Sequence, residues 1–408
     1  MFETSRPVAT VGLLLIAIGA AFAAGYRLRS PLDGHAPTAA SGIPPASEAS
    51  TPLRATAPYG GTAMRHAADG FGPALGDARN GRMPGEFEPI DAIMLGINEL
   101  LEYHPEALVE IVAALDGRTG IIGLVSHPDQ ERRALDLLRS RGVATDRVVF
   151  FLWPAESMWV QDFGPQQVLG DDARIVDFEY AVTGREIDNQ LPLAFAATFG
   201  MKVDHCHLTM EGGSLLSNGQ GMCFSSTRII EQNEYRGLDL QGIGRVLNTA
   251  FGFQRWVYLM PLVGETTGHL DLFLTVGGPT TVLLASYDPA EDRDNAERMD
   301  ENARTLAGTV TADGRPLEII RIRQPAARDG CWRSYTNVIF GNGVVLVPQF
   351  PDACPELDRE ALDIYRRAFP DRRIVGIDTS SIIKKRGGLH CVSLSIPRVP
   401  GLPPPAER

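Results

Sequence analysis

At 408 residues and 44% hydrophobic content, the chain exceeds one average domain and can bury a substantial core. Its 38 Lys and Arg against 50 Asp and Glu leave a net charge of −12 and a pI near 5.2. That balance argues against nucleic acid as a partner and leaves a surface that attracts cationic ligands only weakly.

The N-terminus does not read as globular. Val8 to Gly25 is free of charge, rich in Ala, Leu and Ile, shows no amphipathic face and includes the A-x-A pattern Ala21-Phe22-Ala23. Its length is near the minimum for a membrane-spanning helix, about 17–25 residues. Residues 1–25 are therefore expected to be a signal peptide or an N-terminal membrane anchor, with Arg27 and Arg29 directly behind it. The protein is expected to be exported or membrane-anchored, periplasmic or extracellular, in a bacterium, touching the membrane only through this segment. Residues 26–83 are rich in Pro, Ala, Gly, Ser and Thr without an apolar period, which reads as a disordered linker. Residues 84–396 form one catalytic-sized block, and 397–408 read as a flexible tail.

Inside the block, short apolar strands alternate with helices. Strands are predicted over 92–97, 120–126 and 148–153, and helices over 105–115, 128–141, 189–199, 295–308 and 355–369. The last helix opens with Pro355-Glu356, a favoured first turn. Five cysteines, Cys206, Cys223, Cys331, Cys354 and Cys391, are an odd set, so in an exported chain up to two disulfides can form and one thiol stays over. Spacing does not say which pair, and Cys391 is expected to be the free one.

A second regularity is a recurring unit of polar cluster, apolar strand, tight turn and apolar strand. Its copies begin at Asp162, Glu211, His269 and Asn337, and two carry the hairpin signals Asn218-Gly219 and Asn342-Gly343. With Cys391 as a fifth head, the intervals are 49, 58, 68 and 54 residues, an irregular module size that suggests structural repeats around an axis. If each hairpin starts at the centre, the polar heads converge there. His269 and Asp271, two apart on a predicted strand, should share one face. Gly212-Gly213 and Gly387-Gly388 clear space beside Glu211 and Cys391. A single histidine, glycine pair or buried cysteine usually means packing or a turn. Polar heads at the same place in a repeated unit resist that explanation, because unpaired buried carboxylates are costly. A thiol, an imidazole, three carboxylates and an amide suit attack on a planar cationic carbon such as that of a guanidinium.

The motifs are Trp159-Val-Gln-Asp162-Phe-Gly-Pro165, Glu211-Gly-Gly213, Gly268-His269-Leu-Asp271, Tyr335-Thr-Asn337 and Gly387-Gly388-Leu389-His390-Cys391. In this order and at these distances the chain resembles the agmatine deiminase and bacterial, Porphyromonas-type peptidylarginine deiminase family of guanidino-modifying enzymes. The resemblance implies an α/β pentein fold, a five-bladed propeller of ββαβ modules with pseudo-five-fold symmetry. It implies a hydrolase acting on C–N bonds in linear amidines, with Cys391 as nucleophile and His269 as general acid and base. Asp162 and Asp271 would grip the guanidinium nitrogens, Asn337 would orient the cysteine, and Glu211 would assist the histidine. Trp159 is a further substrate contact. Family members usually carry Arg where this chain has Gln161. No cofactor and no metal is implied.

The leader favours peptidyl-arginine as the substrate, with Arg185 as a carboxylate partner, because the peptide-acting relatives are exported and hold a C-terminal carboxylate with arginines. Agmatine, as in putrescine biosynthesis, is the alternative, and a catalytically silent, membrane-tethered binder of cationic peptides is a third reading. An amide-cleaving cysteine hydrolase or an amidinotransferase could use the same thiol. His205-Cys206-His207 is a weak metal motif, since strand alternation splits the cysteine from the two histidines.

Overall fold

The computed structural model describes residues 81–402. The expected leader (1–25), nearly all of the linker and the last six residues of the tail lie outside the described residues. Among those described, no helix is long and apolar enough to cross a membrane.

Five small sheets repeat one plan. In four of them an antiparallel hairpin feeds a crossover whose return strand is parallel to the hairpin's second strand. The triplets are Gln166–Val168, Arg174–Tyr180, Lys202–Met210; Leu215–Ser217, Met222–Ser226, Arg255–Leu259; Leu274–Val276, Thr281–Ser286, Glu318–Arg323; and Ile339–Gly341, Val344–Gln349, Arg373–Asp378. In the fifth sheet Ser393–Ile396 pairs antiparallel with Ala92–Leu95, which continues in parallel through Gly120–Val125 to Val148–Leu152. One module is thus assembled from both ends of the catalytic block.

The local reasons are readable. The strand Ala92–Leu95 is wholly apolar and buried along its length, as a strand covered on both faces must be. Proline stands at the start of the helices Pro105–Leu115, Pro128–Ser140 and Pro355–Ala368, where its missing N–H costs nothing. Asp239 and Asp292 cap the helices Leu240–Phe251 and Arg293–Ala307 through their side-chain oxygens.

Five expectations change. The first strand ends at Leu95, and Ile97 already belongs to the helix Ile97–Tyr103. His269 and Asp271 are not on a strand: His269 immediately precedes the 3₁₀ turn Leu270–Leu272, as Glu211 precedes Gly212–Ser214, and Asp162 lies on the short helix Val160–Phe163. A 3₁₀ turn of three residues per revolution sends His269 and Asp271 in different directions, so they do not share a face. Residues 397–402 are packed: Arg398 N donates to Gln167 Oε1 at 2.9 Å, Val399 N to Asp91 Oδ2 at 2.9 Å, and Val399 is buried. At the other end Arg82 already bridges to Leu169, and Met83 N donates to Phe251 O at 2.9 Å, so the packed unit begins before residue 84. None of the five cysteines is disulfide-bonded; Cys206 and Cys223 sit in one apolar cluster, and burial pushes the Cys206 thiol up to about 12.

Candidate active site

The heads of the modules meet. Cys391 is brought in just ahead of the strand Ser393–Ile396, and its carbonyl accepts from Gln161 N at 3.3 Å, joining it to the module that carries Asp162. Asn337 Nδ2 lies 3.5 Å from the Cys391 sulfur, and Asp271 Oδ2 lies 3.8 Å from it. His269 Nε2 is hydrogen-bonded to Glu211 Oε2, and its Nδ1 is 3.6 Å from Asp162 Oδ1. Gly213 N donates to that same Asp162 oxygen at 3.2 Å. All of these side chains except Glu211, which is half-buried, are removed from solvent.

The glycines in the motifs have specific steric duties. A Cβ on Gly213 would sit 2.7 Å from His269 Nδ1 and 2.9 Å from Asp162 Oδ1, inside the ion pair. One on Gly388 would sit 2.3 Å from Asn337 Oδ1, and one on Gly387 2.3 Å from the Trp159 ring. Trp159 therefore lies against the chain that delivers the cysteine. These positions need glycine because side chains from other modules occupy the space where a Cβ would be.

The electrostatics are unusual. Burial pushes the Asp162 carboxyl up to about 7; the His269 imidazolium opposes this, and the Glu211 and Asp271 charges add to it. Burial alone would lower His269, but Asp162, the hydrogen bond it donates to Glu211 and the Asp271 charge overcome this and raise the imidazole to about 10. Burial, then Asp271 and Asp162, push the Cys391 thiol well above its ordinary range, against the hydrogen bonds from Gly388 and Asn337. The resting site thus holds a protonated histidine and a protonated thiol among carboxylates.

Every sequence-predicted polar head is brought together. Arg185 is placed differently: its guanidinium donates to Glu156 O at 2.5 Å and stands 3.8 Å from the buried carboxylate of Asp188. Asp188 also accepts from Glu156 N at 2.7 Å and Ser157 Oγ at 3.2 Å, and burial raises its carboxyl to about 6. Gln161, where the family pattern has Arg, is buried with its Oε1 unpartnered. His205 and His207 lie on the surface, His205 Nδ1 being 2.9 Å from Asp177 Oδ2.

Three residues escaped the sequence reading. Tyr180 is mostly buried beside Phe163, and burial together with Asp162, Glu211 and Asp188 holds its hydroxyl protonated. His390 contacts Asp271, and Glu86 contacts His390. His390 had a visible signal in its position next to Cys391; Glu86 had none, because its partner is 304 residues away. Among the described residues Asp162, Glu211 and His269 also group tightly enough to hold an ion, yet Asp162 and Glu211 face opposite ring nitrogens. That arrangement suits a clamped imidazolium better than a metal-bound one. A groove of about 860 Å³ lined by Asp91, Arg147, Asn342 and Arg372 contains none of the site residues.

Comparison with known proteins agrees with this geometry. A family model described as Porphyromonas-type peptidyl-arginine deiminase matches residues 82–397. A Marinomonas protein that carries agmatine deiminase as a provisional name is 24% identical over 360 residues, 78% of this chain and 94% of its own. The agmatine deiminase of Enterococcus faecalis superposes with a TM-score of 0.68 at 21% identity, covering 80% of this chain and 99% of that one. A Porphyromonas gingivalis structure with the provisional name arginine deiminase gives 0.68 at 24% identity, over 78% and 99%.

Proposed function

Since the chain belongs to the Porphyromonas-type peptidyl-arginine deiminase family, and is accordingly a hydrolase of C–N bonds in guanidino groups, we propose that it deiminates a small guanidinium amine of the agmatine type through Cys391. The observation that carries the reading is the buried thiol beside Asp271 and Asn337, with the Asp162 charge opposing its ionisation and a protonated His269 against Asp162. Entry of a guanidinium cation reverses the electrostatics. It offsets the carboxylates that hold the thiol protonated, so the thiol proton is lost and the thiolate faces the electrophilic carbon. Asp162 and Asp271 accept the substrate N–H groups, a planar arrangement that carboxylates bind well.

The thiolate adds to the guanidinium carbon, giving a neutral tetrahedral adduct. The His269 imidazolium protonates one nitrogen, which leaves as ammonia, and a cationic amidino thioester of Cys391 remains. Neutral His269 takes a proton from water as the oxygen adds to the same carbon. The C–S bond breaks with return of the thiolate, and loss of the remaining proton gives the ureido product. Atoms balance as guanidinium plus water to urea derivative plus ammonium.

The small-amine substrate is favoured over peptidyl-arginine by two observations. Relatives that match most of the chain carry agmatine deiminase names. Arg185, the residue read as a peptide-carboxylate partner, is already engaged by Asp188 and Glu156. The test is ammonia and ureido-product release across agmatine, free arginine and peptides with internal or C-terminal arginine. Agmatine is expected to be turned over best, and the Cys391→Ala protein to bind it without turnover. Preferential release from C-terminal arginine peptides would reject the small-amine assignment, and full activity of Cys391→Ala would reject the nucleophile.

A further inference from the structure

His390 stands between two carboxylates delivered from opposite directions. Its Nδ1 is 2.7 Å from Asp271 Oδ2, and its Nε2 is 2.8 Å from both oxygens of Glu86. A neutral imidazole has one donor and one acceptor, whereas ionised carboxylates only accept. Both contacts are satisfied together only by the imidazolium. Burial by itself would favour the neutral ring, but the Glu86 charge and the hydrogen bonds to Asp271 and Glu86 raise it well above the ordinary histidine range. The titratable groups facing it are Glu86 from the segment before the first strand, Asp271 from the 3₁₀ turn Leu270–Leu272, and the adjoining Cys391 thiol.

The same residue fixes both neighbours of the sulfur. Its main-chain N–H donates to Asn337 Oδ1 at 2.9 Å, which leaves Asn337 Nδ2 for the thiol at 3.5 Å. Its ring occupies Asp271 Oδ2, while Asp271 Oδ1 stays buried and unpartnered. An orphaned buried carboxylate oxygen is costly unless a ligand donor completes it. Glu86 is steadied from behind: Arg372 is hydrogen-bonded to the carbonyl of Phe87, and Ile90 N donates to Asn342 Oδ1 at 3.1 Å.

We propose that Glu86 and His390 are positioning residues for the reaction: an imidazolium clamped between Glu86 and Asp271 holds Asp271 so that Oδ1 points to the substrate guanidinium, and balances the Asp271 charge beside the thiol. Neither residue touches the reacting atoms. Glu86 thereby makes the segment ahead of the first strand part of the catalytic apparatus.

Glu86→Gln separates charge from shape. Its amide can donate to Nε2 while Nδ1–H still donates to Asp271, so geometry survives and the charge support is lost. The alkaline limb of kcat/KM should move to lower pH. His390→Gln removes the clamp and should lower kcat/KM at least about tenfold, chiefly through KM. The turnover measurements rest on the deiminase reading; substrate-free alkylation of Cys391 by iodoacetamide does not. In His390→Gln the Asp271 charge is left unbalanced 3.8 Å from the sulfur, so the alkylation midpoint should rise in pH. Thermal unfolding verifies that each variant is folded. An unmoved alkylation midpoint in folded His390→Gln, or a Glu86→Gln pH profile that overlays wild type, overturns the proposal. Absence of guanidine turnover in wild type, with the alkylation shift present, rejects the deiminase reading alone.

Discussion

Asp162→Asn separates two things that Asp162 does in opposite directions. In the proposed reaction its carboxylate grips the substrate and sustains the His269 imidazolium 3.6 Å away, while its negative charge suppresses the Cys391 thiolate. Opposite unit charges about 4 Å apart interact by about 4 kcal/mol at an effective dielectric near 20. Truncating one partner of a buried hydrogen-bonded charge pair costs about 2–5 kcal/mol of binding, which at about 1.4 kcal/mol per decade is a fall in kcat/KM of roughly one and a half to three and a half orders of magnitude. The asparagine keeps an oxygen for Gly213 N, so the backbone contact at 3.2 Å need not be lost. The thiol should respond the other way. With one carboxylate neutralised, its iodoacetamide alkylation midpoint in the absence of substrate should fall in pH, and alkylation at neutral pH should accelerate. Steady-state turnover and mass-spectrometric alkylation of Cys391 read the two effects separately. An alkylation midpoint that rises or stays put, or a turnover loss below tenfold, would refute the reasoning.

Two further outcomes follow from the same electrostatics and packing. Asp162 must be ionised to bind a cation and His269 protonated to release ammonia, so kcat/KM should rise with pH near 7 and fall near 10. In kcat the acid limb should lie lower, because the bound guanidinium favours the carboxylate; the test is a full pH–rate profile. Gly388→Ala should act through Asn337, whose Oδ1 would stand 2.3 Å from the new methyl. Displacing this polar contact to the sulfur should reduce kcat by about 10²-fold, and overpacking of the buried site should lower the urea midpoint as well.

Much of the fold was legible because its signals are local. The helices starting at Pro105, Pro128 and Pro355 begin at the predicted residue, since proline fixes the first turn irrespective of what packs later. The module plan was legible because the apolar hairpins repeat. The geometry at the heads was not. Period-two alternation places His269 and Asp271 together, but the close approach of five modules bends the chain into 3₁₀ turns and turns them apart, one towards Asp162 and the other towards His390. Cys391, His269 and the carboxylates could be named because their motifs are dense. Glu86 could not, because a lone glutamate beside a Pro-Gly pair carries no mark of a partner 304 residues away. Prolines suggest fraying from 397 on, yet over the described residues 397–402 Gln167 and Asp91 take up the backbone N–H groups of Arg398 and Val399.

The charge inventory explains how a nucleophilic role for Cys391 is compatible with its burial. Each imidazole, His269 and His390, lies between two carboxylates, one at each ring nitrogen: Asp162 and Glu211 for the first, Asp271 and Glu86 for the second. With both rings protonated and Asp162 ionised, as cation binding requires, four carboxylates face two cations, and the site lacks positive charge. Ionising Cys391 in that state would add a third uncompensated negative charge, which burial forbids. A guanidinium supplies what is missing, and only then does the thiolate become affordable. A neutral amide brings no such charge, so the amide-hydrolase alternative would leave the thiol protonated and idle. The requirement for a cation is therefore built into the same carboxylates that orient it, and selectivity and activation of the nucleophile are one property of this site.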